Sequence, residues 1–240
     1  MALASICLFA CTALAGDYAT LNFIGFSANG RYLAFEEYGV QDGSGFPYSN
    51  YYFVETAKNT FTSPRVRVVL ENEFATEKSA RTRAAMAAVK HLKRLGIIKG
   101  NTGKQVVSHL MNDLTFEDRQ LATTVSFVEE IGSMYRHGEY KLNLKPVKVK
   151  AKGCEIYDDD PVMMDLTLSN EPGHNTDQSM TFLKSLQKDT SLPAERGCPL
   201  EYRLQDVYLY KDTIAVFINV FTPGFEGPDM RFMAVTGKYK

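Results

Sequence analysis

Two stretches carry the side chains best suited to holding a ligand. Asp42, Phe46 and Tyr48 lie among Gly43, Gly45 and Pro47, and Phe225, Glu226 and Asp229 lie among Gly224, Gly227 and Pro228. Aromatic faces beside carboxylates suit a polar ligand such as a sugar or a peptide. The same residues have a second use: Phe46 and Phe225 can plug a sheet edge while the acids cap turns. Both readings stand at this level.

Acid–base chemistry needs two carboxylates across one bond. Glu36 and Glu37 adjoin, and on a strand adjacent side chains point to opposite faces, so the two cannot flank one glycosidic bond. A pair assembled from different strands, Glu36 with Asp42 or Glu226, keeps hydrolysis open. No Gly-x-Ser-x-Gly elbow is present, which leaves an esterase without its nucleophile turn. Gly100-Asn101-Thr102-Gly103-Lys104-Gln105 has the Gly-Lys step of a phosphate loop but lacks the earlier Gly and the following Ser/Thr, and reads as a turn. Asp158-Asp159-Asp160 offers hard oxygens without the central Gly and closing Glu of a calcium loop, and reads as a solvated turn. His91, His109, His137 and His174 have no metal-ligand spacing. Neither a metal nor a cofactor is expected.

Cysteine usage points outward. Cys7 and Cys11 fall in an apolar leader, Met1 to Leu14, whose Ala13-Leu14-Ala15 fits a small-x-small cleavage site, with Gly16-Asp17 opening the mature chain. The leader is too short to span a bilayer, so no transmembrane span is expected after cleavage. Cys154 and Cys198 remain and are expected to form one disulfide, closing a loop of about 45 residues and contributing roughly 3–4 kcal/mol. Two buried free thiols are the other reading of this pair. The 240-residue chain is 45% hydrophobic and 23% charged with a formal net charge of -1. Near-neutrality removes the electrostatic case for nucleic acid, which needs many phosphates neutralised.

The elements that must position these residues read mostly as strands. Leu21–Phe26 and Tyr32–Tyr38 form a hairpin around Asn29-Gly30, a dipeptide suited to a two-residue turn with positive φ. A loop is expected over Gly39–Asn50, then strands at Tyr51–Glu55 and Arg65–Leu70. Thr76 caps one amphipathic helix near 77–95; Ala85, Ala88, Val89, Leu92 and Leu95 share its inner face, Arg81 lies with the basic residues outside, and Gly96 ends it with Ile97 packing back on Leu92. Gln105–Met111 is a short helix or strand, and Leu121–Glu129 is β-like. Tyr140–Lys150 alternates as a half-buried strand, broken or bulged at Pro146. Val162–Leu168, Met180–Leu186, Tyr202–Tyr210, Ile214–Phe221 and Met230–Thr236 complete the strands. An internal echo lays Leu33-Ala34-Phe35 on Ile214-Ala215-Val216, Gly43 on Gly224, Pro47 on Pro228 and Val54 on Val235, as two equivalent β-units would.

Gly25 to Phe35, a strand, an Asn-Gly turn and an apolar strand, resembles one blade of TolB-type β-propellers. Across the mature chain the strings Phe35-Glu36-Glu37-Tyr38-Gly39-Val40-Gln41-Asp42-Gly43-Ser44-Gly45-Phe46-Pro47-Tyr48, Leu192-Pro193-Ala194-Glu195-Arg196-Gly197-Cys198-Pro199 and Asn219-Val220-Phe221-Thr222-Pro223-Gly224-Phe225-Glu226-Gly227-Pro228-Asp229 resemble an uncharacterised bacterial family of predicted secreted proteins, a domain of unknown function. That resemblance implies export and brings no catalytic residue. The expectation is a signal peptide at 1–15 and one exported, mainly β domain at 16–240, its antiparallel sheets forming a sandwich or a partial propeller. Its expected role, periplasmic or secreted, is non-catalytic binding of a polar ligand or an envelope protein. The alternative is a carboxylate-dependent hydrolase of an envelope polymer.

Overall fold

The computed structural model describes residues 16–62, 64–109, 123–130, 137–155, 159–172, 182–225 and 227–240. The expected signal peptide at 1–15, with Cys7 and Cys11, lies outside the described residues. Three antiparallel sheets stack face to face, and one helix covers the outermost. The first sheet holds β1 (Thr20–Phe26), β2 (Tyr32–Val40), β3 (Pro47–Glu55) and β4 (Thr60–Phe61) in that order, with β5 (Val66–Val69) also paired to β3. The helix α1 (Glu77–Leu95) follows. β6 (Lys104–Ser108) joins β11 (Glu201–Tyr210), β12 (Thr213–Pro223) and β13 (Pro228–Lys238) in the central sheet, ordered β13-β12-β11-β6. The third sheet is ordered β10-β9-β8-β7, from β7 (Thr124–Glu130), β8 (His137–Lys148), β9 (Val162–Pro172) and β10 (Leu183–Lys188). Stacking, not radial arrangement, decides for a sandwich-like form over the propeller alternative.

The central sheet is buried on both faces, which explains why β12 is apolar at nearly every position and not at alternate ones. Ala215, Phe217 and Phe221 face the first sheet, meeting Phe26, Leu33 and Phe35; the Phe35 and Phe217 rings stand 5.4 Å apart, edge to face. Ile214, Val216, Ile218 and Val220 face the third sheet, meeting Leu142, Leu144, Leu166 and Leu168. Full burial of such side chains contributes about 1.5–3 kcal/mol each.

The helix is capped as expected. Ser79 N–H donates to Thr76 Oγ1 (3.2 Å), Thr76 N–H donates to Ser79 Oγ (3.0 Å), and Gly96 is left-handed at φ 62. Ile97 N–H returns to Leu92 O at 3.0 Å. Ala88 and Leu95 are buried and Ala85 and Leu92 pack beside them, as expected, but the face is centred differently. Ala80, Ala84 and Ala88 are fully buried, whereas Val89 is 45% exposed. The helix sits close over Tyr51 and Phe53, and only methyl-sized side chains fit between. Arg81 also turns inward and pairs with Glu36.

Four further corrections concern turns and strands. Asn29 keeps a negative φ and only Gly30 is positive, at 75. Ser27 N–H bonds Tyr32 O (2.8 Å) around a four-residue loop, and Asn29 Oδ1 accepts from Ser27 Oγ and Arg31 N–H. β3 begins at Pro47 and not after Asn50. β8 runs through Pro146 without a register shift: β7 pairs with it only up to Asn143, and among the described residues no strand stands opposite the missing N–H. The last expected strand of the third sheet is β10, Leu183–Lys188, while Met180 lies outside the described residues.

The disulfide expectation holds. Cys154 and Cys198 are bonded with Cα atoms 5.7 Å apart, tying the segment after β8 to the segment before β11, and so the third sheet to the central one. The internal echo matches two stacked hairpins, β2–β3 and β12–β13. Leu33 pairs with Val54, but Val216 and not Ile214 pairs with Val235, because loop 224–227 is two residues shorter than loop 41–46 and the first strands slip by two. A slip of two preserves the face.

Candidate functional site

Loops 41–46 and 224–227 stand on one buried polar base. Tyr48 is 2% exposed and its O–H donates to Asp17 Oδ1 at 2.8 Å. Asp17 N–H donates to Asp229 Oδ1 at 3.0 Å. Asp17 Oδ2 is held by Arg231, whose Nη1 donates to Asp17 O at 2.6 Å and whose guanidinium lies 4.9 Å from the centre of the Tyr48 ring. Burial pushes the Asp17 carboxyl above its ordinary range, with the Arg231 charge and the Tyr48 hydroxyl pulling against it. Burial also drives the Tyr48 hydroxyl far upward, so it stays a donor.

Above this base the loops differ in exposure. Asp42 Oδ1 accepts from Gly43 N–H at 2.9 Å, while Asp42 Oδ2 is buried without a partner. Phe46 is half-buried and Phe225 is 85% exposed. Gly224 is required by crowding: a Cβ there would stand 2.3 Å from Gly227 O. Glu226 lies outside the described residues. The structure therefore brings Tyr48 and Asp229 together through Asp17, a residue the sequence reading passed over. Its only local signal is a lone acid beside Tyr18 and Ala19 at the start of a strand-forming segment.

The buried acids of β2 are committed to donors. Glu36 and Glu37 are each 1% exposed and face opposite sides of the strand, as expected. Glu36 accepts from Asn22 Nδ2 (2.7 Å), Ser49 Oγ (2.9 Å) and both Nε and Nη2 of Arg81 (3.0 Å each). The Arg81 guanidinium also stacks 3.7 Å from the Tyr38 ring centre. Glu37 accepts from Asn50 Nδ2 (3.1 Å) and Tyr52 O–H (2.7 Å), and its second oxygen from Phe232 N–H (2.9 Å).

Phe232 lies on β13, the outer strand of the central sheet. Glu37 thus occupies the place of a missing neighbour strand. Two other groups serve the same edge: Asp17 O accepts from Met230 N–H (2.9 Å) and Asn59 Oδ1 from Thr236 N–H (2.9 Å). An edge covered in this way cannot template pairing with another chain.

The remaining candidates resolve into packing or open surface. Gly103 stands at φ 71 with a Cβ position 2.3 Å from Leu209 O, and Asn101 O accepts from Phe26 N–H at 2.7 Å, so the Gly-Lys turn buttresses β1 and β11. Asp160 pairs with Lys150 at 2.6 Å, and Asp158 lies outside the described residues. His91 stacks on Phe53 at 5.2 Å. His109 Nδ1 is buried without a partner. His174 and the side chain of His137 lie outside the described residues. Beside the disulfide runs a groove of about 670 Å³ between Val149–Cys154 and Thr190–Ala194, floored by Met163. Among the described residues, no cluster of three His, Cys, Asp or Glu stands ready for a metal. Within the same residues no helix is long and apolar enough to cross a membrane.

A family model described as "Predicted secreted protein (DUF2259)" matches residues 34–238. No curated protein and no solved structure matches the chain.

Proposed function

The chain belongs to this family of predicted secreted proteins, and from that premise we propose that it is a non-catalytic binding module whose ligand meets the end where loops 41–46 and 224–227 emerge. The observation that carries the reading is the shared base: Asp17 joins Tyr48 to Asp229, so both loops rise from one rigid platform. Phe225, 85% exposed, and the half-buried Phe46 supply flat apolar faces, and Asp42 and Asp229 supply acceptors. Aromatic faces beside acceptors suit a sugar ring or an extended peptide. The hydrolase alternative asks Glu36 to act with Asp42 or Glu226, yet both Glu36 oxygens are held by Arg81.

The test is co-sedimentation of the oxidised protein with insoluble peptidoglycan, alongside assay of released reducing ends. The expected result is retention on the polymer without release, weakened several-fold in Phe225→Ser, since an aromatic contact contributes about 0.5–1.5 kcal/mol beyond its area. Polymer cleavage that survives in Phe225→Ser but not in Glu36→Gln would reverse the reading.

A further inference from the structure

From Lys78 to Lys104 the chain carries eight lysines and arginines and no acid, against a net charge of -1 for the whole. The remainder of the chain is therefore strongly acidic, and charge is segregated along the sequence. Most of the basic stretch is α1. Folding sharpens the segregation. Arg81 is neutralised against the sheet by Glu36, while Lys78, Arg83, Lys90, Lys93 and Arg94 are exposed. Between them on the same outward face stand Met86, 72% exposed, and Val89, 45% exposed, with Ile98 at 47% just past the helix end. Nineteen residues of helix present this face along about 28 Å at 1.5 Å per residue.

We infer that the outer face of α1 is a docking surface for an anionic phospholipid bilayer. Charge complementarity selects a polyanionic partner and disfavours a symmetric dimer through this helix, which would bring cations against cations. The apolar centre selects lipid among polyanions. Long basic side chains keep their charged ends among headgroups while their stems and the Met86 and Val89 side chains enter the boundary with the acyl region. This surface is separate from the loops at 41–46 and 224–227 and does not depend on their having a ligand.

The test is co-sedimentation of the full protein with phosphatidylcholine vesicles, with and without phosphatidylglycerol, at low and high salt. Binding is expected only to the anionic vesicles and is expected to weaken with salt. Each basic side chain near such a surface is worth about five-fold in binding, so Arg83→Glu/Lys90→Glu/Lys93→Glu abolishes sedimentation. The matched triple Lys148→Glu/Lys152→Glu/Lys188→Glu, on the third sheet and the turn after β8, leaves it intact. Met86→Ser/Val89→Ser, at exposed positions that do not hold the fold, weakens it several-fold. Failure to bind anionic vesicles, equal binding to neutral ones, or equal loss in the two triples would overturn the inference. Tight binding to heparin that Met86→Ser/Val89→Ser leaves unchanged, without vesicle binding, would overturn it too and make the partner a soluble polyanion.

Discussion

Removing the Glu37 side chain tests whether the buried acids hold the fold or wait for a substrate. Glu37 satisfies three donors at once: Phe232 N–H, Asn50 Nδ2 and Tyr52 O–H. Glu37→Ala strands all three in a site where the residue itself is 1% exposed. A stranded buried donor costs about 1–3 kcal/mol. The Tyr52 hydroxyl can turn away and a water can enter the vacated space, so the expected loss is about 3–5 kcal/mol. Glu37→Gln keeps the volume but turns one accepting oxygen into an NH2 donor, so at least one of the three donors loses its partner, at about 1–3 kcal/mol. Urea unfolding of the oxidised protein reads both values as shifts of midpoint at constant slope. Amide exchange adds a local readout. Phe232 N–H has its partner on Glu37, so its protection falls first in Glu37→Ala, before that of the β12 amides. A Glu37→Ala protein as stable as the parent, with Phe232 still protected, refutes the edge-capping argument. Increased stability would be worse for it, because acids kept for chemistry are commonly stabilising to remove.

Arg81→Ala leaves Glu36 buried without its cation and is expected to cost about 3–5 kcal/mol, whereas Arg81→Lys recovers only part because an ammonium cannot make the paired contact; urea midpoints of the two variants check the order. Reducing Cys154–Cys198 is expected to cost roughly 2–4 kcal/mol, read as a shift of the unfolding midpoint with and without reductant. Asp189 governs part of the acid limb. Burial alone would raise its pKa, but Arg196, Met164 N–H and Gln187 outweigh burial and hold it below the usual 3.8. A depressed folded-state pKa gives stability that is present above 3.8 and lost as pH falls through the folded value. Asp17 and Asp206, raised by burial, act in the opposite sense, their share shrinking as pH rises through their folded values. Asp189→Asn should therefore flatten the loss of stability below about pH 4; an unchanged acid slope would rule out that role.

What the sequence made legible is what neighbours along the chain decide. Thr76 and Gly96 end the helix through bonds to residues at most four positions away, and both ends are where the spacing put them. Strand alternation located β8 for the same reason. The inner face of α1 was legible at Ala88 and Leu95, with Ala85 and Leu92 packed beside them, but Val89 points outward and the buried Ala80 and Ala84 carried no signal of their own. Close approach to Tyr51 and Phe53 selects alanine there, a fact about the sheet that no helix window contains. The polar base under the two loops failed for a stronger reason. Asp17 meets Arg231 across 214 positions, and Glu37 meets Phe232 across 195. Nothing local distinguishes an acid that caps a distant strand from one that faces water. One hint was present. Glu36 and Glu37 interrupt a strand that is apolar on both faces, Leu33-Ala34-Phe35 before them, and such a strand lies between two layers. An acid on either face of it must then find donors inside the protein. Followed through, that argument places Glu36 against a cation of the covering helix and Glu37 against a donor of the next sheet, where each is found.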